Sequence, residues 1–204
     1  MATNLAQALE LMLVTDDTLV RGRDLVALVR AAEQGGVTSV QLRLKSASAA
    51  ELAALGRALL QSVRIPLIVN DRVDVALAIG AQGVHLGPDD MPVAMARRLS
   101  PAGFVIGASV GGEEELENGA EADYWGIGPW STTSTKPDAG AALGPAGFTR
   151  LHAHAGPRPC IAIGGIQPDD VPVAIGAGAA GVAVVSGILA AEDISAAARR
   201  YRAL

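Results

Sequence analysis

Short runs of Val, Ile and Leu recur along the chain, separated by Ala/Leu/Arg segments whose apolar residues fall three and four positions apart. The strand candidates are 11–15, 39–42, 66–69, 83–86, 104–107, 124–126, 160–163 and 181–185. Each is a nearly continuous apolar run bounded by Gly, Asp or Asn, the pattern of a strand covered on both faces. Helical periodicity marks 24–34, 48–61, 72–79, 92–99, 113–118, 145–152, 168–176 and 194–202. Ser48 with Glu51 fits a capping box, and Pro92 and Pro168 suit a first helical turn.

Eight strands alternating with eight helices over 204 residues amount to roughly 25 residues per unit. Such alternation demands parallel strands joined by right-handed crossovers. Eight units that close on themselves give a single (β/α)8 TIM barrel in the α/β class, one domain spanning 1–204. An open doubly wound sheet is the alternative. A leucine-rich solenoid shares the period but needs a Leu/Asn ladder that the chain lacks.

Composition narrows the class. Half the residues are apolar and only 3% aromatic, so the core is built from Ala, Val, Leu and Ile, with Gly high at 24 residues. One cysteine, Cys160, excludes an intramolecular disulfide framework, and as the start of an apolar strand it reads as core. A net charge of −5 argues against non-specific nucleic-acid binding. No apolar stretch reaches ~18 residues, so no membrane span is expected, and residues 1–10 do not read as a secretory signal. A soluble, cytoplasmic enzyme is the expected class, and the composition is compatible with a homo-oligomer.

In a parallel barrel, chemistry gathers at the carboxyl ends of the strands. Of the 16 cationic residues only Lys45 and Lys136 are lysine, and both fall on that rim. Gln41, Arg43 and Lys45 occupy alternate positions and project to one side, where they could hold a polyanion or pair with a neighbouring strand. Asp71 and Asp90 end neighbouring strands. Hard oxygen ligands suit Mg²⁺, which is usually held by one or two carboxylates plus substrate phosphates; capping of the helix that follows is the competing role for each. Gly164-Gly165 and Ser186-Gly187 end strands 7 and 8, the place where a barrel offers backbone N–H groups and a short helix to a phosphate. The loop after strand 6 carries the hydroxyls of Thr133, Ser134 and Thr135 and ends in Lys136, which reads as an ordered lid. His85 reads as a core or supporting residue, and His152 and His154 as solvated. Zinc clusters, a Walker loop, GxSxG and a dinucleotide fingerprint are all missing from the sequence.

Taken in order, Gln41-Leu42-Arg43-Leu44-Lys45, Val69-Asn70-Asp71-Arg72, Val84-His85-Leu86-Gly87 with Asp90, Gly107-Ala108-Ser109, Gly128-Pro129 through Thr135-Lys136, Ile163-Gly164-Gly165-Ile166 and Val184-Val185-Ser186 resemble the thiamine-phosphate synthase family, from Leu13 to about Leu189. The resemblance implies a Mg²⁺-dependent transferase that joins 4-amino-5-hydroxymethyl-2-methylpyrimidine diphosphate to 4-methyl-5-(2-phosphoethyl)thiazole. It assigns Gln41, Arg43, Lys45, Asn70, Ser109 and Lys136 to the pyrimidine diphosphate, with Arg43, Lys45, Ser109 and Lys136 as the catalytic group. It also assigns Asp71 and Asp90 to Mg²⁺, and Thr133, Thr135, Gly165, Val185 and Ser186 to the thiazole phosphate. The sequence departs from the family pattern at Pro88, Gly111-Gly112, Trp130 and the Ala-rich stretch after Lys136. Two rivals share the barrel. A thiazole phosphate tautomerase is disfavoured by the presence of Lys45, Asp71, Asp90 and Ser109; a non-catalytic phosphate-ligand-binding barrel would bind without turnover.

Overall fold

The computed structural model describes residues 4–132 and 140–202. Among the described residues eight parallel strands pair in chain order and close into a barrel: β1 (Leu11–Val14), β2 (Ser39–Leu42), β3 (Leu67–Asn70), β4 (Gly83–Leu86), β5 (Val105–Val110), β6 (Tyr124–Ile127), β7 (Cys160–Ile163) and β8 (Gly181–Val184). β8 pairs back onto β1, with Met12 opposite Ala183. The closed order excludes the open sheet.

Period-two alternation explains why nearly every strand reads as apolar throughout. Leu11 and Leu13, Leu67 and Val69, Ile106 and Ala108, and Val182 and Val184 turn outward into the layer between barrel and helices. Met12, Val14, Ile68, Tyr124, Ile161 and Ala183 turn inward, where Leu9 joins them from below. Burying a side chain such as Ile68 or Ile161 is worth about 1.5–3 kcal/mol against exposure, so both layers hold the barrel closed.

The helices start where capping chemistry provides it. Asp24 accepts from the N–H of Ala27 at the head of Leu25–Gln34, and Ser48 and Glu51 complete a reciprocal capping box on Ala49–Ser62. Pro92 directly precedes Val93–Leu99, whereas Pro168 lies two residues ahead of Asp170–Gly176.

Two expectations need correction. The helix expected over 113–118 is a single 3₁₀ turn, Glu113–Glu115. Leu116 is the one large apolar residue in that stretch, so no stripe exists to bury, and the Glu115 carboxylate turns back to accept from the N–H of Gly111 at 2.6 Å. β5 also runs to Val110, three residues past the boundary expected at Gly107. That glycine is an inward position, and its missing side chain makes room for the Tyr124 ring instead of ending the strand. Three short helices escaped the pattern: Leu5–Ala8 before β1, Asp17–Val20 after it, and Ser186–Leu189 after β8. Four residues are too few to display a helical period.

Candidate active site

The inward positions change character toward the carboxyl ends of the strands. There Gln41, Asn70, His85 and Ser109 replace the apolar residues found deeper, while Gly126 and Ala183 contribute almost no bulk. The result is a cavity of about 330 Å³ open at the carboxyl end, a size suited to small ligands.

Many of the residues singled out in the sequence lie beside it or on its wall, eleven of them side chains or backbone with a proposed or supporting role. Gln41, Arg43 and Lys45 come from β2 and its continuation, Asn70 and Asp71 from the end of β3, and Asp90 from the loop after β4. Ser109 comes from β5, Gly165 from the turn after β7, and Val185 and Ser186 from the end of β8. His85, read as a supporting residue, is the eleventh and is 5% exposed. Thr133, Ser134, Thr135 and Lys136 lie outside the described residues. Trp130 and Ser131, which lead toward them, are tied to β7: their N–H groups donate to Ile163 O at 2.8 Å and Gly164 O at 2.9 Å.

Both cations just past β2 pair with neighbouring carboxylates while facing the cavity. Arg43 Nη1 lies 3.7 Å from Asp16 Oδ2, and Lys45 Nζ donates to Asp71 Oδ2 at 2.5 Å. The backbone beneath is fixed by two side chains of the β1 loop. Thr15 Oγ1 accepts from Arg43 N at 2.8 Å and donates to Arg43 O at 3.1 Å. Asp17 accepts from the N–H groups of Lys45 and Ser46 and from the Ser46 hydroxyl. Burial pushes the Asp17 carboxyl up, but those hydrogen bonds outweigh it and hold the group below its ordinary value. No local pattern in the sequence marks Thr15 or Asp17 for this role, because their partners stand 28 and 29 residues away.

The capping role weighed for the two aspartates does not apply. Helix Val73–Ile79 has no side-chain cap, and neither has Val93–Leu99. Asp71 instead adopts φ +63°, the one non-glycine residue in the left-handed region among the described residues. Aspartate tolerates that region better than most residues, and such conformations concentrate at functional positions. The turn is held by Asp71 N donating to His85 O at 2.8 Å. Asp90 Oδ2 accepts from Gly87 N at 2.7 Å. Burial, with the Asp71 carboxyl hydrogen-bonded alongside, pushes Asp90 up to about 6. Two carboxyls that close disfavour double ionisation unless a cation joins them.

Across the mouth, Gly164 and Gly165 both take positive φ, +93° and +72°. A Cβ on Gly165 would stand 3.0 Å from the Ser131 side chain and the Thr132 carbonyl, so only glycine lets the two loops meet.

Comparison with known proteins agrees with this architecture. The family model described as thiamine monophosphate synthase matches residues 11–188. The thiamine-phosphate synthase of Azorhizobium caulinodans is 47% identical over 201 residues, covering 96% of this chain and 94% of the relative. That of Chloroflexus aurantiacus is 47% identical over 199 residues, covering 95% and 91%. Among solved structures, the thiamine phosphate pyrophosphorylase from Pyrococcus furiosus superimposes with a TM-score of 0.86 at 36% identity, covering 98% of this chain and 96% of that one. A barrel whose polar rim gathers residues from successive strands, matched in sequence and in shape over nearly its whole length, belongs to the thiamine monophosphate synthase family.

Proposed function

We propose that this chain condenses 4-amino-5-hydroxymethyl-2-methylpyrimidine diphosphate with 4-methyl-5-(2-phosphoethyl)thiazole, releasing diphosphate and forming thiamine phosphate. The observation that carries the reading is the convergence of Arg43, Lys45, Asp71, Asp90 and Ser109, from four different strand ends, on one cavity. A thiazole phosphate tautomerase would have no use for so many charged groups on the diphosphate side.

In the reaction the bond between the exocyclic methylene and the diphosphate oxygen breaks with both electrons leaving on oxygen. The aminopyrimidine ring stabilises the benzylic-type cation, and the thiazole nitrogen donates the pair that forms the new C–N bond. The protein's task is to stabilise negative charge as it develops on the leaving group. Arg43 offers a bidentate fork and Lys45 a point charge, and by the resemblance Lys136 adds a second ammonium. Gln41, Asn70 and Ser109 orient the pyrimidine. Thr133, Ser134 and Thr135 with the backbone at Gly165, Val185 and Ser186 hold the thiazole phosphate. No general base is required.

The donor set fits a divalent cation. Asp71 and Asp90 offer hard oxygens, and their mutual proximity raises the cost of leaving both ionised without one. Asp71 and Asp90 would hold Mg²⁺ there, and it would supply charge neutralisation of the diphosphate. Two carboxylates would leave substrate oxygens to complete the shell.

The test is incubation with both precursors and Mg²⁺, followed by detection of thiamine phosphate. Absence of product, or conversion of the thiazole phosphate to an isomer without coupling, would sink the proposal.

A further inference from the structure

Below the pocket floor, a line of polar side chains crosses the barrel interior between apolar neighbours. Tyr124 on β6 is fully buried, and its hydroxyl lies 2.9 Å from His85 Nδ1 on β4. The other ring nitrogen, His85 Nε2, lies 3.1 Å from Ser109 Oγ on β5. Ser109 and His85 both border the cavity; Tyr124 does not. Backbone space has been cleared for both rings. A Cβ on Gly107 would lie 2.2 Å from the Tyr124 ring, and one on Gly126 would lie 3.1 Å from His85 Cε1.

The direction of the hydrogen bonds follows from the chemistry of each group. Burial pushes the Tyr124 phenol well above its ordinary pKa, so the oxygen keeps its proton. The Gln41 amide, whose nitrogen points at the Met12 sulfur 3.6 Å away, draws the phenol back down only in part against that burial. The hydrogen bond of the phenol among the described residues runs to His85 Nδ1, so with the phenol keeping its proton the relay has Tyr124 donate and His85 Nδ1 accept. A neutral imidazole that accepts at Nδ1 carries its hydrogen on Nε2 and donates there. Ser109 Oγ accepts that bond, and its own O–H is left to point into the cavity.

We propose that Tyr124 and His85 form a buried relay that fixes Ser109 as a hydrogen-bond donor toward the pocket, so that His85 is a positioning residue for the ligand that Ser109 meets. The inference rests on the reading of the site as a pyrimidine diphosphate pocket. It adds a requirement: the substrate atom facing Ser109 is an acceptor, a ring nitrogen or a diphosphate oxygen. Without the relay the serine hydroxyl rotates freely and can present a lone pair to that acceptor.

Two measurements test this. The chain has three histidines, so nitrogen-15 NMR of the ligand-free protein, assigned with His152→Gln and His154→Gln, reads the His85 tautomer directly. A hydrogen on Nε2 alone is expected. A hydrogen on Nδ1, or on both nitrogens, would overturn the relay whether or not the protein makes thiamine phosphate. The second measurement is a double-mutant cycle in the coupling assay. His85→Asn reaches the Tyr124 side of the ring's place and His85→Gln reaches the Ser109 side. His85→Asn should lower kcat by about 10- to 100-fold, the scale seen when a group orienting a functional ligand is lost. His85→Gln should recover part of it, and His85→Asn on top of Ser109→Ala should cost nothing further. Additive losses, or equal damage from Asn and Gln that tracks the melting temperature, would reduce His85 to a packing residue. If the unmodified protein forms no product while the Nε2 tautomer is found, the functional reading fails and the relay stands.

Discussion

The two ends of the barrel interior are built from the same strands with the same inward alternation, yet they differ in what fills them. At the amino end Leu9, Met12, Ile68, Tyr124 and Ile161 interdigitate, with helix Leu5–Ala8 beside them, and the space left amounts to about 10 Å³, room for one water. At the carboxyl end Gly126, Ala183 and Ser109 take the inward places, and about 330 Å³ opens. Outward residues are apolar at both ends, so the helix layer is indifferent to the change. One end is committed to packing and the other is freed for chemistry, and outside the Tyr124–His85–Ser109 line that joins them the two can be disturbed separately.

The sharpest way to break that separation is Asp71→Asn. Asparagine also tolerates φ near +63°, so the backbone turn survives while the charge is lost. Coupling should fall about 10²- to 10³-fold, with saturation shifted to much higher Mg²⁺. The melting temperature should move by less than about 2 °C. A variant with an unchanged Mg²⁺ titration would remove Asp71 from the metal site.

At the opposite end, Leu9→Ala should do the reverse. Leu9 is 1% exposed, and such truncations cost about 2–5 kcal/mol. A melting point lower by about 10 °C is expected, with kcat of the folded protein at 20 °C kept within about twofold. A large loss of kcat in that variant would mean that the two ends are coupled.

Asp90 offers a subtler test, through pH. Its folded-state pKa of about 6 lies above the ordinary 3.8, so folding disfavours ionisation. The stability linked to the protonated form is fully present below pH 3.8 and is lost as pH rises through about 6. Asp90→Asn should therefore gain on the unsubstituted protein between pH 4 and pH 7, by on the order of 1 kcal/mol once solvent screening is allowed for. Urea melts at the two pH values in the absence of Mg²⁺ measure it, and a pH-independent difference would refute the origin given. The smallest effect belongs to the amino end, where Arg202 pairs with Glu10 on the surface. Arg202→Ala should cost less than about 0.5 kcal/mol in the same melts, because both partners are well solvated.

The eight strands were legible because barrel strands are apolar on both faces, and the longer helices because each carries an amphipathic stripe or a cap. The stretch 113–118 misled because a run of glutamates imitates the start of a helix without offering anything to bury. Gly107 misled in the other direction, since a glycine that serves close packing looks the same in sequence as one that ends a strand. The polar rim was readable one strand end at a time: Arg43, Lys45, Asp71 and Asp90 stand where an inward or terminal position was expected. The capping role for either aspartate could be dismissed only by seeing where each carboxylate goes.

The order of the eight strands and of the longer helices, and the residue types at the rim, follow from the sequence by itself, because apolar runs and amphipathic stripes are local properties. Which rim residues meet was decided only by closure of the barrel. Asp71 with Lys45, His85 with Tyr124 and Ser109, and Gly165 with Ser131 lie 24 to 39 residues apart or belong to loops with no period. The physical reason is that register and shear bring these residues to one level of a curved sheet, and no local pattern along the chain encodes that level.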